Sequence, residues 1–514
     1  MLRELKNFLP MIPNCRTALA LTTTLLLLTG CSPLKNFTRS RYSAEAIRAE
    51  YGAISDSSAR AGTQPLKSGA GTTQPPDKAI GRLNFPLSLS QAIDTAVSNN
   101  PGIQQAIHRI ARAKAMKNMA DTAFWPFVGV YTEYSQGDTP SAYLFKTIDQ
   151  RRLPPDVNFN DPGWFENWES GIKARMNLYN GGKDLLDVRM AEQDVDISSL
   201  QRLAVSNELT TRVISAFYDI LAAREFVQIA KESIATLSEQ LRIIRVQYEG
   251  GGALKSDLLS LQVRQAQAKE ALVNSRNRLK LARAGLANLM GLDPSELAEK
   301  GGLLAQTAKP RFQVPATYEE GIAYALSNRP ELEKVRRQLI RSRMGLDAAR
   351  ADYLPSVDLV GKYYVDDPGL DYDRDRENWT AALVMNWDLF TGFARKARVN
   401  QTDAMVKEML AADRETLLAI KLDVKNAYLD REAARARYKV AASSVARAEE
   451  SYQLVKAHYQ GGAVTITRYL EAELDRNRAR THATAAFYDK IKANADLARA
   501  IGQWAGRNPK PMEQ

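Results

Sequence analysis

Two glycine-tipped turns, 211 residues apart, constrain this 514-residue chain more than any other feature. Tyr459-Gln460-Gly461-Gly462-Ala463 repeats Tyr248-Glu249-Gly250-Gly251-Gly252. Backwards from Tyr248, steps of three and four pick out Ile244, Leu241, Leu237, Ile234, Ala230, Val227, Ala223, Ile220, Ala216 and Val213. The same steps from Tyr459 give Val455, Tyr452, Ala448, Val445, Ala441, Tyr438, Ala434, Arg431, Ala427 and Val424, with Arg431 the one break. A 3.5-residue period held this long puts one narrow stripe on a supercoiled seam, which needs a partner helix. The glycines supply the positive φ of a helix C-terminus. The pattern predicts two long helical hairpins with glycine-rich tips, although an ordinary bundle core with glycine turns has the same spacing. Proline is absent from 163–293 and again from 369–508, which suits either reading.

The duplication extends beyond the hairpins. Leu87-Ser88-Leu89-Ser90 starts a helix with Ser90 as expected N-cap, and Asn99-Asn100-Pro101 breaks it, as Asn328-Arg329-Pro330 does in the second copy. Phe124-Trp125-Pro126 answers to Tyr353-Leu354-Pro355. The period then changes to two. Val128, Val130 and Tyr134 alternate with Gly129, Tyr131 and Glu133; Ile172, Ala174, Met176 and Leu178 alternate with Lys173, Arg175 and Asn177. In the second copy Val357, Leu359 and Tyr363, then Ala381, Leu383, Met385, Trp387 and Leu389, do the same. The expected strands are about 127–135, 168–178, 356–365 and 379–389. The offset between copies is 229 before the strand loop and 211 after it, so the loop is 18 residues shorter in copy two. The first loop, 136–166, is polar and Pro-rich, and the acidic second, 366–377, reads as a solvated outer connection.

The N-terminus has a basic start, an apolar run from Ala18 to Leu28 too short to span a bilayer, and then Leu28-Thr29-Gly30-Cys31. This matches a bacterial lipoprotein signal, with acylation expected at Cys31. Ser32 after it favours the outer membrane. Cys15 leaves with the signal, so no thiol remains for disulfide or metal work. The expected organisation is signal peptide 1–30, lipid-anchored tether 31–84, first repeat 85–300, second repeat 301–507 and tail 508–514. The formal charge of +11 is spread along helices beside Glu and Asp, which speaks for solvated faces and against nucleic acid as a partner.

Four strands of about ten residues, with Trp near their ends, suit the wall of an outer-membrane barrel, yet the smallest such barrels have about eight strands. The alternative use of the pair is a soluble sandwich. Barrel closure would require eight strands from a dimer or twelve from a trimer, and an open polar lumen favours twelve. A 65-residue helix spans roughly 100 Å; a return helix plus the 22-residue helix of each copy stack to about that length.

In these landmarks the chain resembles the TolC-type outer membrane efflux family, in particular its acylated branch. The residues that carry the resemblance are Asn100-Pro101, Arg329-Pro330, Gly181, Gly392, Tyr248 with Gly251 and Asp257, Tyr459 with Gly462, and Met290-Gly291 with Ile501-Gly502. The resemblance implies a mainly α fold with transmembrane β: a coiled-coil helical barrel, plus four strands per chain closing as a twelve-stranded barrel in a homotrimer. It further implies a periplasmic adaptor and an inner-membrane pump, usually of the RND class and sometimes an ABC transporter, with the chain as the passive outer-membrane channel. A type I secretion duct and a non-conducting periplasmic scaffold lipoprotein are the alternatives. Carried over by motif, the periplasmic gate comprises Tyr248, Gly251, Asp257, Tyr459, Gly462 and Glu471, with Arg468 where some members carry a constricting aspartate. Asp257 and Arg468 occupy equivalent places in the two tips, so they are expected to pair, or Arg468 to pair with Glu471 or a neighbouring subunit.

No enzyme chemistry is expected. His108, His458 and His482 do not lie four apart on a helix or beside carboxylate clusters, as a zinc site would want. The Asp366–Asp375 carboxylates lack the glycine and glutamate of a calcium loop. No P-loop or nucleophile elbow appears, and the only cofactor expected is the covalent lipid on Cys31.

Overall fold

The computed structural model describes residues 86–299, 312, 314–370 and 374–505, all within one compact unit, Pro75–Gln514. Cys31, the signal segment and the tether lie outside the described residues. In chain order the elements are α1 (Leu89–Asn99), α2 (Pro101–Asp121), β1 (Phe127–Gly137), α3 (Pro140–Asp149), β2 (Phe165–Tyr179), α4 (Lys183–Glu249), α5 (Lys255–Leu289) and α6 (Pro294–Glu299). The second half follows with α7 (Tyr318–Asn328), α8 (Pro330–Ala351), β3 (Ser356–Asp367), β4 (Glu377–Asn386), α9 (Ala394–Gln460) and α10 (Ile466–Ala500).

Helices α4 and α9 are each 67 residues long, roughly 100 Å at 1.5 Å per residue. Of the predicted seam on α4, all but Ile234 and Ala216 are buried, and those two are half-buried. On α9 the seam contains every buried residue from Val424 to Tyr452, and the positions between are almost all open. The difference follows from neighbours: α4 packs against α2, α5, α8 and α10, whereas α9 packs mainly against α8 and α10. Leu89, Ile93, Ile214, Phe217, Met290 and Ala495 form a core where α1 meets the hairpin bases. Each large apolar side chain buried there contributes about 1.5–3 kcal/mol.

Ser88, rather than Ser90, caps α1. Its hydroxyl accepts from the Gln91 amide at 3.2 Å, and the Gln91 carboxamide accepts from the Ser88 amide at 3.0 Å, a reciprocal box that Ser90 has no partner to form. Pro101 and Pro330 occupy the first turns of α2 and α8, where a missing N–H costs nothing. The return helix and the short helix of each copy meet end to end. Asn100 donates through Nδ2 to the Leu289 carbonyl at 2.9 Å, and Arg329 donates through Nη1 to the Ala500 carbonyl at 3.1 Å. Gly291 lets the joint close: at φ +71, a Cβ there would lie 2.5 Å from the Asn99 carbonyl oxygen.

The strands form one antiparallel sheet in the order β1-β2-β3-β4, leaving β1 and β4 as edges. The register places Val130, Ile172 and Tyr363 side by side, and Leu359 beside Leu383, on one face. Glu169 pairs with Asp366, and Lys173 with Lys362, on the other. β4 stops at Asn386, short of the expected 389, because its partner β3 begins only at Ser356, after Pro355.

The strand loops hold more structure than their sequences suggest, and the acidic one is not solvated where it begins. The first contains helix α3, which Pro140 opens, and Asp366 and Asp367 are fully buried. Acidic residues reach such burial only with partners, and these have them: Asp366 takes Lys146 and Asn167, and Asp367 takes Arg376.

Candidate functional site

At the hairpin tips both turns close by the same local bonds. Gly251 donates to the Tyr248 carbonyl at 3.1 Å and Gly252 to that of Gln247 at 2.7 Å; Gly462 donates to Tyr459 at 3.0 Å and Ala463 to His458 at 2.8 Å. Gly251 and Gly462 both have φ +76 with open space around them, so the dihedral alone calls for glycine.

The twin tyrosines are not equivalent. Tyr459 stacks on Tyr469 with ring centroids 5.2 Å apart and planes at 23°, and the Tyr469 hydroxyl lies 3.1 Å from that of Tyr452. Tyr248 is exposed. The cause is in the sequence: Tyr452 and Tyr469 stand where the first copy has Leu241 and Leu258, which offer no ring or hydroxyl. Leu237, Leu241, Ile244 and Leu261 of the first hairpin join Tyr452, Ile466, Tyr469 and Leu470 of the second in one core, so the tips are packed together. Burial and then the Tyr452 bond raise the Tyr469 phenol above its ordinary range. Burial, followed by the nearby Asp257 carboxylate, does the same to Tyr459.

Arg468 pairs with Glu471 one turn along its own helix, at 3.3 Å, both side chains being more than half exposed. Among the described residues no ion pair joins it to Asp257. Such an exposed pair contributes at most about 1 kcal/mol.

Sequence reasoning did not single out the polar residues buried just above. Glu473, 2% exposed, accepts from Ser233 of α4 at 2.7 Å and also from Asn477. The Arg476 guanidinium lies 3.9 Å from the Tyr452 ring centroid. Their signal was present in the inward-facing positions of α10: from Ile466 through Tyr469 and Leu470 the stripe runs on to Glu473 and Arg476, charges where apolar residues are due.

At the other end of the molecule the polar face of the sheet holds α3. Lys146 Nζ lies 2.8 Å from Glu169 Oε2 and 2.8 Å from Asp366 Oδ1. Asn167 donates to Asp366 Oδ1 at 2.6 Å, Gln150 donates to Asn167 Oδ1 at 2.8 Å, and Tyr131 donates to Glu169 Oε1 at 2.6 Å. The helix end reaches β4, where Arg151 donates to Asn378 Oδ1 at 3.1 Å. The opposite face of the sheet exposes Val130, Ile172, Leu359, Leu383 and Met385.

Paired helical hairpins carrying a four-stranded sheet, apolar on one side and charged on the other, define a mainly helical chain of two similar halves. The sequence pattern of the outer membrane efflux protein family matches residues 92–292 and 321–503, and the chain belongs to that family. Protein CyaE of Bordetella pertussis is 25% identical over 80% of this chain and 84% of its own length. The alkaline protease secretion protein AprF of Pseudomonas aeruginosa is 24% identical, with the same coverage, and outer membrane protein OprJ of that species is 21% identical over 80% of this chain and 84% of its own. Among solved structures, the Campylobacter jejuni CmeC outer membrane channel superposes with a TM-score of 0.70 at 16% identity, covering 86% of this chain and 90% of its own. The open state of the Neisseria gonorrhoeae MtrE outer membrane channel gives 0.68 at 19%, covering 82% and 90%.

Proposed function

We propose that this chain is the outer-membrane duct of a tripartite efflux system, closed as a homotrimer and passive in itself. The observation that carries the reading is the sheet: four strands, apolar on one face and charged on the other, with β1 and β4 unpaired within the chain. Unpaired edges in hydrocarbon are too costly to persist, so the sheet must close on other copies. Three copies make twelve strands with the charged face inward. The helical wall has matching open sides. Leu259, Val263 and Val273 of α5, and Leu418, Leu422 and Leu429 of α9, are exposed in the single chain.

In this reading a lipid on Cys31 anchors the chain, a periplasmic adaptor docks on the hairpin tips, and an RND or ABC pump beneath supplies the cargo. The duct runs no reaction; the tips open it and the pump selects. A duct for secreted protein is the second reading, favoured by the resemblance to CyaE and AprF. A scaffold has no use for a two-faced sheet.

The test combines native mass of the detergent-extracted protein with planar-bilayer conductance. A conducting trimer is expected, and a conductance rise in Asp257→Ala or Arg468→Ala locates the gate at the tips. A monomer, or a trimer that conducts nothing even with the tip variants, overturns the duct.

A further inference from the structure

We propose that α3 is a fixed constriction at the outer mouth of the duct and that Lys146, which pins it there, sets the ion selectivity of the mouth. The inference rests on the duct reading, which turns the charged face of the sheet toward the lumen. On that face α3 lies across the strands, its Lys146 bridging Glu169 of β2 and Asp366 of β3. Thr147 and Gln150, also on the sheet side of the helix, are buried. Phe145 and Ile148 lie on its other side, 65% and 41% exposed, and in a closed barrel that side faces the axis.

The attachment is polar throughout and built from both copies of the repeat. Asp366, fully buried, receives Lys146, Asn167 and, at 3.5 Å, Asn378. Glu169 receives Lys146, Tyr131 and, at 3.4 Å, Lys362. The helix is tied into this network by Lys146 and, at its C-terminal end, by Gln150, which donates to the Glu166 carbonyl and Asn167 Oδ1 at 2.8 Å, and by the Asp149 carbonyl, which accepts from Asn378 at 3.4 Å, so it is part of the wall and not a tethered flap. The charge count follows directly. Lys146 offsets two carboxylates together with Lys362; without it Asp366 keeps only neutral amide donors among the described residues, and the mouth gains net negative charge in each chain.

The experiment is single-channel recording of the full-length trimer in planar bilayers of neutral lipid, in asymmetric potassium chloride, for wild type and Lys146→Met. The expected result is a conductance at least twofold higher, because α3 is released, with the reversal potential moved toward cation selectivity. Asp366→Asn should also raise conductance but move selectivity the opposite way. Should Lys146→Met fail to form trimers by native mass, replacing residues 138–164 with the nine-residue connection 368–376 removes α3 altogether; a higher conductance is again expected. Wild-type conductance and selectivity in the assembled variants overturn the proposal while leaving the duct intact. A wild-type trimer that does not conduct even with opened tips removes the duct and this inference with it.

Discussion

Asp423 on α9 ties three helix ends together. Arg329 Nη1 reaches its Oδ2 at 2.5 Å and Arg499 Nη2 its Oδ1 at 3.0 Å, while Arg329 also pairs with Glu331 at 3.2 Å. Burial opposes the charge of Asp423, but the hydrogen bonds from Arg499 and Arg329 outweigh it and hold the carboxyl below its ordinary 3.8. A depressed carboxylate adds stability that is full above the unfolded value and is lost as pH falls through the folded one. Asp423→Asn should therefore lower stability by about 1–2 kcal/mol at pH 7, a buried pair discounted for its partial exposure. The gap to wild type should close below pH 3.8; thermal unfolding across pH checks it. None of this was legible in the sequence. Arg329 was visible only as the residue before a helix-starting proline, because its partner lies 94 residues away and no local spacing relates them. Asp366 misled for the same reason: an acidic run reads as solvated until a lysine 220 residues upstream is placed against it.

Elements with a sustained period were legible in kind and order, with strand ends placed to within about three residues. The heptads gave α4 and α9, and alternation gave the strands, because in each case one face carries apolar residues at a regular period along its length. α3 was not, since ten residues pinned by side-chain hydrogen bonds leave no repeating pattern. The tips were legible as turns but not as an asymmetric pair, because the inequality of Tyr248 and Tyr459 depends on rings contributed by α9 and α10. A second test belongs to the end-to-end joints. Gly291→Ala must place a methyl 2.5 Å from the Asn99 carbonyl at φ +71, whereas Gly502→Ala at φ +79 meets its nearest neighbours at 3.1–3.2 Å. The first should cost about 2–3 kcal/mol, positive φ and clash together, and the second nearer 1. Hydrogen exchange should show the loss concentrated at the α5–α2 joint for Gly291→Ala.

For the whole molecule, the apolar face of the sheet decides where the chain can reside. Ile172→Arg and Leu383→Arg put a cation on that face, at about 2–4 kcal/mol each if the site lies near the bilayer midplane. Both should deplete the protein from the outer-membrane fraction, while Lys173→Gln, on the charged face, should not; fractionation with immunodetection reads both. The two faces were plain from alternation, and four strands already called for closure on other copies; the number of copies stays a proposal, since it depends on neighbours that neither one sequence nor one chain shows. The connection β1–β2 is 18 residues longer than β3–β4, and the surplus is what holds α3. That helix ends over β4, where Asn378 donates to the Asp149 carbonyl at 3.4 Å, so it already covers ground belonging to the other half. The two halves thus share a plan along their hairpins and part at their strand ends: among the described residues only the first half lays a helix over the charged face, so a closed trimer would carry three such helices over its twelve strands.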